Sequence, residues 1–283
     1  MIEHTIVLGA DRHLVATLTT PAGSQPPPMV AVLTNSGVIP RSGPHRMNVH
    51  LARRFAALGI PSIRFDMSGL GDSRRASGSL PAVQQWVADT RAAMDTAQAQ
   101  FGCDRFLMVG FCSGAEVAHL VGLEDTRLRA ALLWDLYAYP TLQSRLRSLL
   151  YRVRRAGPRA MLQKLGQRLA GLLQRGSAAA GETTEAVVVS TAPAKPEFAG
   201  RVRRLVDRGM ELMFMYSGGE PVWFNYRGQF RDSFGRCGFV DRVAFDMLED
   251  ADHLLTRAPA QQAFIDSTLQ WLHARVLPRH GTA

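Results

Sequence analysis

The sequence predicts an α/β fold in which eight strands form a mostly parallel sheet with helices on both faces. Three observations point there. Short apolar runs of strand length alternate with stretches of helical periodicity, the order that builds parallel sheets through crossover connections. The 283 residues are 46% hydrophobic, enough for a sizeable core in one large domain or one domain carrying an insertion. Near the middle of the chain an apolar run passes through a glycine-flanked turn straight into a helix-forming stretch.

Taken in order, the first two runs, 5–8 and 14–18, are separated by a short polar link around Asp11 and Arg12 and predict an opening antiparallel hairpin. The remaining strands are expected at 30–33, 62–65, 106–109, 130–134, 212–216 and 240–245. Helices are expected at about 44–58, 81–99, 113–123 and 259–276.

One stretch breaks the rhythm, because more than 70 residues separate the run ending at Trp134 from the one beginning at Leu212. Within it Leu142, Leu146, Leu149, Leu150 and Val153 recur at helical spacing, with Arg145, Arg147, Arg152, Arg154 and Arg155 interleaved. After Gly157-Pro158 the pattern resumes through Met161, Leu162, Leu165, Leu169, Leu172 and Leu173, and then gives way to a small, polar stretch at 176–184. A helical cap inserted over the sheet and followed by a mobile linker is predicted. The chain then divides into a first core part, 1–140, a basic cap and linker, 141–210, and a second core part, 211–283.

The net charge of +9 belongs to that insertion, since 141–210 holds 14 Lys and Arg against four Asp and Glu. Such a segment attracts an acidic partner, such as an acyl carrier protein or the phosphates of a CoA-type thioester. A solvated helix face and an anionic membrane surface are the alternatives. Nucleic acid is disfavoured, because no aromatic interleaving or recognition motif accompanies the charge. No run of about 18 apolar residues is present, and Met1-Ile2-Glu3-His4-Thr5 does not open a signal peptide, so a cytoplasmic protein without a transmembrane segment is expected. Cys103, Cys112 and Cys237 are odd in number and lack metal-ligand spacing, which argues against a disulfide framework, a metal site or any other cofactor.

The turn at Gly110-Phe111-Cys112-Ser113-Gly114 has small residues two before and two after the cysteine. A nucleophile held in strained geometry between a strand and a helix requires that spacing. Centring the turn on Ser113 would put the bulky Phe111 at a flanking position, so Cys112 is the expected nucleophile. Its base is expected at His253, in Glu249-Asp250-Ala251-Asp252-His253 after the last apolar run, where the loop opens at the carboxyl ends of the strands. For the orienting acid Glu220 is the first choice, at the end of Ser217-Gly218-Gly219-Glu220, with Asp252, Asp250 and Asp135 as alternatives.

Nucleophile, acid and histidine then follow the chain order of α/β-hydrolases. Arg64-Phe65-Asp66-Met67-Ser68-Gly69-Leu70-Gly71-Asp72-Ser73 resembles the RxDxRGxGxS turn of that superfamily. More narrowly, Arg41-Ser42-Gly43-Pro44-His45-Arg46, LARRFAALGIPSIRFD and GFCSGA resemble the GxCxG hydrolases associated with exosortase A systems and the wider serine-aminopeptidase-like group. The resemblance spans nearly the whole chain outside the cap and implies the α/β-hydrolase fold. Its oxyanion hole takes one backbone N–H from the residue after the nucleophile, here Ser113, and one from the loop after the third strand, here Ser36. Arg41, His45 and Arg46 are placed to reach a substrate carboxylate or phosphate, or else to cap the next helix or pair with Asp66 or Asp72.

A Cys-His-acid acyl hydrolase or acyltransferase acting on a thioester or ester is therefore expected, working through an acyl-cysteine. The alternative is a non-catalytic binding protein that uses the basic cap to hold an acidic partner.

Overall fold

A computed structural model of the chain describes residues 1–23, 25–34, 37–155, 192–219 and 224–280. Its strands are β1 (Ile2–Leu8), β2 (Leu14–Thr20), β3 (Val30–Thr34), β4 (Ser62–Phe65), β5 (Phe106–Phe111), β6 (Leu128–Trp134), β7 (Glu211–Ser217) and β8 (Ala244–Leu248). They form one eight-stranded sheet in the order β1-β2-β4-β3-β5-β6-β7-β8. β2 pairs antiparallel with β1 and with β4, and every later pairing is parallel. This is the expected eight-stranded, mostly parallel sheet of an α/β-hydrolase.

The helices are α1 (Met47–Ala57), α2 (Ala82–Phe101), α3 (Ser113–Glu124), α4 (142–155), α5 (Lys195–Asp207), α6 (Gln229–Phe234), α7 (Ala258–Trp271) and α8 (Leu277–His280), with a π-helical turn at Leu272–Val276 joining the last two. Central strands read as continuous apolar runs because both of their faces are covered. In β5, Phe106 and Met108 enter one core with α2, α3, α5 and α6, while Leu107, Val109 and Phe111 enter a second core with α1 and α7. Among the described residues no helix is long and apolar enough to cross a membrane.

Three elements differ from expectation. The last strand is β8, Ala244–Leu248, not 240–245. Phe239 and Val240 are buried in a turn instead, where the Phe239 ring packs 5.5 Å from that of Phe234 in α6. The second difference is α5, in the stretch assigned to the end of the cap and linker. It starts with Pro196 in its first turn and buries Phe198, Val202, Leu205 and Val206 at helical spacing against the sheet core. The third is α6, in a stretch assigned no element. Most of the predicted cap, 156–191, lies outside the described residues.

The second core reaches the turn after β5 through aromatic packing. Phe264 of α7 is fully buried, with its ring centroid 5.0 Å from that of Phe111 and 5.1 Å from that of Trp134, at the ends of β5 and β6. Phe264→Ala is expected to destabilise the fold by about 3–5 kcal/mol, read as a lower urea midpoint. A loss below about 1 kcal/mol would show that the site tolerates the cavity.

Candidate active site

β5 runs directly into α3 through Cys112, whose backbone sits at φ 52, ψ −112. That conformation is costly for a residue with a side chain and persists only where the surroundings enforce it. Here they do. The Cys112 N–H donates to the Trp134 carbonyl at 2.9 Å, and its own carbonyl accepts from Ala115 at 2.9 Å and Glu116 at 3.2 Å to open α3. A Cβ on Gly110 would collide with the Gly114 carbonyl and lie 2.6 Å from Ala115 Cα, so strand and helix pass too closely for any side chain there. The Thr34 hydroxyl, at the end of β3, lies 3.3 Å from the Val109 carbonyl and 3.2 Å from that of Gly114, bracing the same crossing.

The Ser113 N–H, at the positive end of α3, has no hydrogen-bond partner among the described residues. The Ser113 hydroxyl accepts a bond from the Gly37 N–H at 2.8 Å, which ties the loop after β3 to the turn. Asn35 and Ser36 lie outside the described residues.

His253 lies on the loop after β8. Its Nδ1–H donates to Asp135 Oδ2 at 2.8 Å. Asp135, directly after β6, also accepts from the Ser217 N–H at 2.7 Å and the Ser217 hydroxyl at 2.8 Å. Trp134 Nε1–H donates to the His253 carbonyl at 2.9 Å, so two consecutive residues hold both the ring and the backbone of the histidine. The hydrogen bond to Asp135, followed by the interaction with the Cys112 sulfur, outweighs partial burial and pushes the His253 pKa up to about 10. The ring is therefore an imidazolium at neutral pH, set between Cys112 and a carboxylate.

The acid on His253 is thus Asp135, one of the alternatives to Glu220, and Glu220 itself lies outside the described residues. Asp252 serves its own loop, its Oδ1 accepting from Leu254 and Thr256 at 3.0 Å each. The Gly218-Gly219 turn, read in the sequence as leading to the acid, meets a different demand. A Cβ on Gly218 would collide with the Glu249 carbonyl, and one on Gly219 would lie 2.8 Å from Asp252 Cα. The glycine N–H groups bond to the carbonyls of Leu248 and Ala251 at 2.9 Å. The pair lets the histidine loop lie flat on the end of β7. Ser217, which no sequence signal marked, completes the acid's hydrogen bonding.

Arg41 is engaged internally. Its guanidinium donates to Asp66 at 2.5 Å and Asp72 at 2.7 Å, and its backbone N–H donates to Asp66 at 2.5 Å. This is the Asp66 and Asp72 pairing held as its alternative role. His45 and Arg46 are exposed ahead of α1, at φ 47 and 62. Burial works against ionisation of Asp252, but the Thr256 and Leu254 hydrogen bonds and the charge of His45 hold its carboxyl below the ordinary range. His45 is therefore within electrostatic reach of the loop that carries His253.

Comparison with known proteins agrees with this architecture. No curated protein sequence matches the chain significantly. Among solved structures, an α/β serine hydrolase without a lid from Xanthomonas campestris superposes with TM-score 0.55 at 15% identity, covering 96% of each chain. An α/β serine hydrolase homologue from Coxiella burnetii gives 0.58 at 14%, over 96% of this chain and 98% of that one. The proline iminopeptidase of Mycobacterium smegmatis gives 0.55 at 16%, over 98% and 100%. Residues 28–192, more than half of the chain, match the model of the family described as serine aminopeptidase, S33. With that match over an eight-stranded sheet of the same fold, the chain belongs to the serine aminopeptidase S33 family of α/β-hydrolases.

Proposed function

We propose that this member of the family is an acyl hydrolase or acyltransferase acting on esters or thioesters, with Cys112 as nucleophile, His253 as proton carrier and Asp135 in the place first given to Glu220. One observation carries the reading. The residue in the strained turn between β5 and α3 lies within electrostatic reach of a histidine that is itself hydrogen-bonded to a largely buried carboxylate.

Cys112 attacks the acyl carbon as the thiolate, its proton already held by His253, and the carbonyl π pair moves to oxygen. The Ser113 N–H donates to that oxyanion, together with an amide of the loop after β3, for which Ser36 remains our choice. Collapse of the tetrahedral species breaks the bond to the leaving alcohol or thiol, which takes a proton from His253 Nε2 and leaves an acyl-cysteine. Neutral His253 then accepts a proton from water, or from an acceptor alcohol or amine, as that nucleophile attacks the acyl carbon, and collapse of this second tetrahedral species breaks the C–S bond, releasing the product and restoring the Cys112 thiolate beside protonated His253. Asp135 holds the ring in the tautomer that points Nε2 at the reacting atoms.

His45 and Arg46, exposed ahead of α1 with His45 in electrostatic reach of Asp252, suit a substrate carboxylate or phosphate. The arginines of α4 favour an anionic partner, so CoA-type thioesters and thioesters on an acidic acyl carrier protein belong in the substrate panel. Free thiols at Cys103, Cys112 and Cys237 support a reducing compartment such as the cytoplasm.

Incubation with a panel of acyl esters and thioesters is expected to add acyl mass to the Cys112 peptide. Cys112→Ala and His253→Ala should each lower turnover by about 10³-fold or more while leaving the fold intact. Full activity in Cys112→Ala, or acyl mass on Ser113, would overturn the assignment.

The proton on His253 gives a second test. A pKa raised by folding means that the protonated ring stabilises the fold fully below about 6.5, the unfolded value, and that this contribution is lost as pH rises through about 10. Imidazole NMR should follow His253 to a midpoint near 10. Asp135→Asn should bring that midpoint down towards about 6.5, and Glu220→Gln should leave it in place. An unmoved midpoint in Asp135→Asn, or a fall in Glu220→Gln, would return the acid role to Glu220.

A further inference from the structure

Among the described residues the most unusual surface is α4, which turns its apolar stripe away from the described body. Its N-terminus is closed by a reciprocal cap, with Ser144 N–H donating to Thr141 Oγ1 at 3.0 Å and Thr141 N–H donating to Ser144 Oγ at 2.8 Å. Asn225 Nδ2 donates to the Ser144 carbonyl and to Ser148 Oγ, both at 3.0 Å. The Thr141 and Tyr226 hydroxyls lie 2.7 Å apart, and Tyr226 donates onward to Asp232 at 2.7 Å. The helix is thus held to the body through its serine side, where Ser144 and Ser148 are 3% and 5% exposed.

The leucines face the other way. Leu142 is 87% exposed, Leu146 57%, Leu149 41% and Leu150 48%. At about 100° per residue, these four and Val153 fall within an arc of about 100°, on the side opposite Ser144 and Ser148. Arg145 and Arg152 lie along one edge of the arc and Arg154 along the other, while the Arg147 guanidinium lies 5.2 Å from the centre of the Tyr226 ring. No acidic residue occurs between 141 and 155. Helices of globular domains present such a stripe to the core, and this one presents serine.

We infer that α4 docks the protein on an anionic lipid bilayer, with its leucines in the headgroup–acyl boundary and its flanking arginines on the lipid phosphates. An exposed aliphatic stripe edged on both sides by arginine is the pattern of a helix lying in a membrane interface. A protein partner is less well matched, because leucine is under-represented among the residues that anchor protein interfaces and the stripe carries no aromatic. A second copy of the chain is worse, since a two-fold contact would set arginine against arginine with no acid to pair it.

The inference is independent of the acyl chemistry and is tested on the full chain. Co-sedimentation with vesicles of phosphatidylcholine and phosphatidylglycerol is expected to retain the protein about tenfold better than phosphatidylcholine alone, and less so as salt rises. Leu146→Glu with Leu150→Glu should abolish retention, and Arg145→Glu with Arg152→Glu should remove the preference for the anionic lipid. Both variants should keep the wild-type melting temperature, and Leu146→Glu with Leu150→Glu should also keep activity on a soluble ester. A tryptophan placed by Leu146→Trp should shift its emission to the blue on anionic vesicles. Failure of the wild type to bind those vesicles would overturn the inference, as would retention that survives the leucine changes. Capture of an acidic acyl carrier protein without vesicle binding would reassign the surface to that protein and overturn it as well.

Discussion

Everything at the site depends on how closely α3 lies against the end of β5. Gly110 has no side chain, so the helix can start directly above the strand, and the one residue between them must take the strained backbone seen at Cys112. That strain turns the thiol out towards the histidine loop and aims the first free amide of α3, at Ser113, at the same point in space. The cost is met by neighbours that cannot move: the Trp134 carbonyl on the Cys112 N–H, the Thr34 hydroxyl across the crossing, and Phe111 locked between Trp134 and Phe264.

The histidine is positioned by the ends of three neighbouring strands. β6 ends in Trp134 and Asp135, β7 ends in Ser217 and the two glycines, and the loop after β8 carries His253. Parallel pairing sets the three ends side by side, so Ser217 can orient the carboxylate, Asp135 can orient the ring, and the indole of Trp134 can fix the backbone beneath it. The imidazolium lies in this network between a largely buried carboxylate and the thiol. Its raised pKa follows from those two neighbours.

Most of this was readable before any coordinates. Central strands buried on both faces announce themselves as unbroken apolar runs, and each of the eight strands coincides with or overlaps an apolar run, although the last run starts a few residues early because Phe239 and Val240 are as apolar as the strand that follows. Gly110 and Gly114 marked Cys112 through a purely local steric rule. His253 stood out because its loop follows the last strand. The acid was harder. Asp135, Glu220, Asp250 and Asp252 all follow apolar runs, and nothing local says which carboxylate lies across from His253. Ser217-Gly218-Gly219 looked like a turn built to present an acid, whereas its glycines answer to a backbone more than 30 residues away in sequence. Arg41, whose sequence context allowed a substrate contact, a helix cap or a pairing with Asp66 or Asp72, is held by both carboxylates.

The sequence by itself determined the sheet, the turn that holds Cys112 and the loop that holds His253, because each depends on hydrophobic periodicity or on steric rules acting within a few residues. Only the tertiary structure decided that Asp135 is the partner of His253 and that the leucines of α4 face outward. Periodicity shows that a helix has an apolar side but not which way that side points. The direction of α4 was set by Asn225 and Tyr226, which bind its serine face from about 80 residues further along the chain. Strand order, which brings residues 135, 217 and 253 together, is a property of the whole sheet and not of any segment in it.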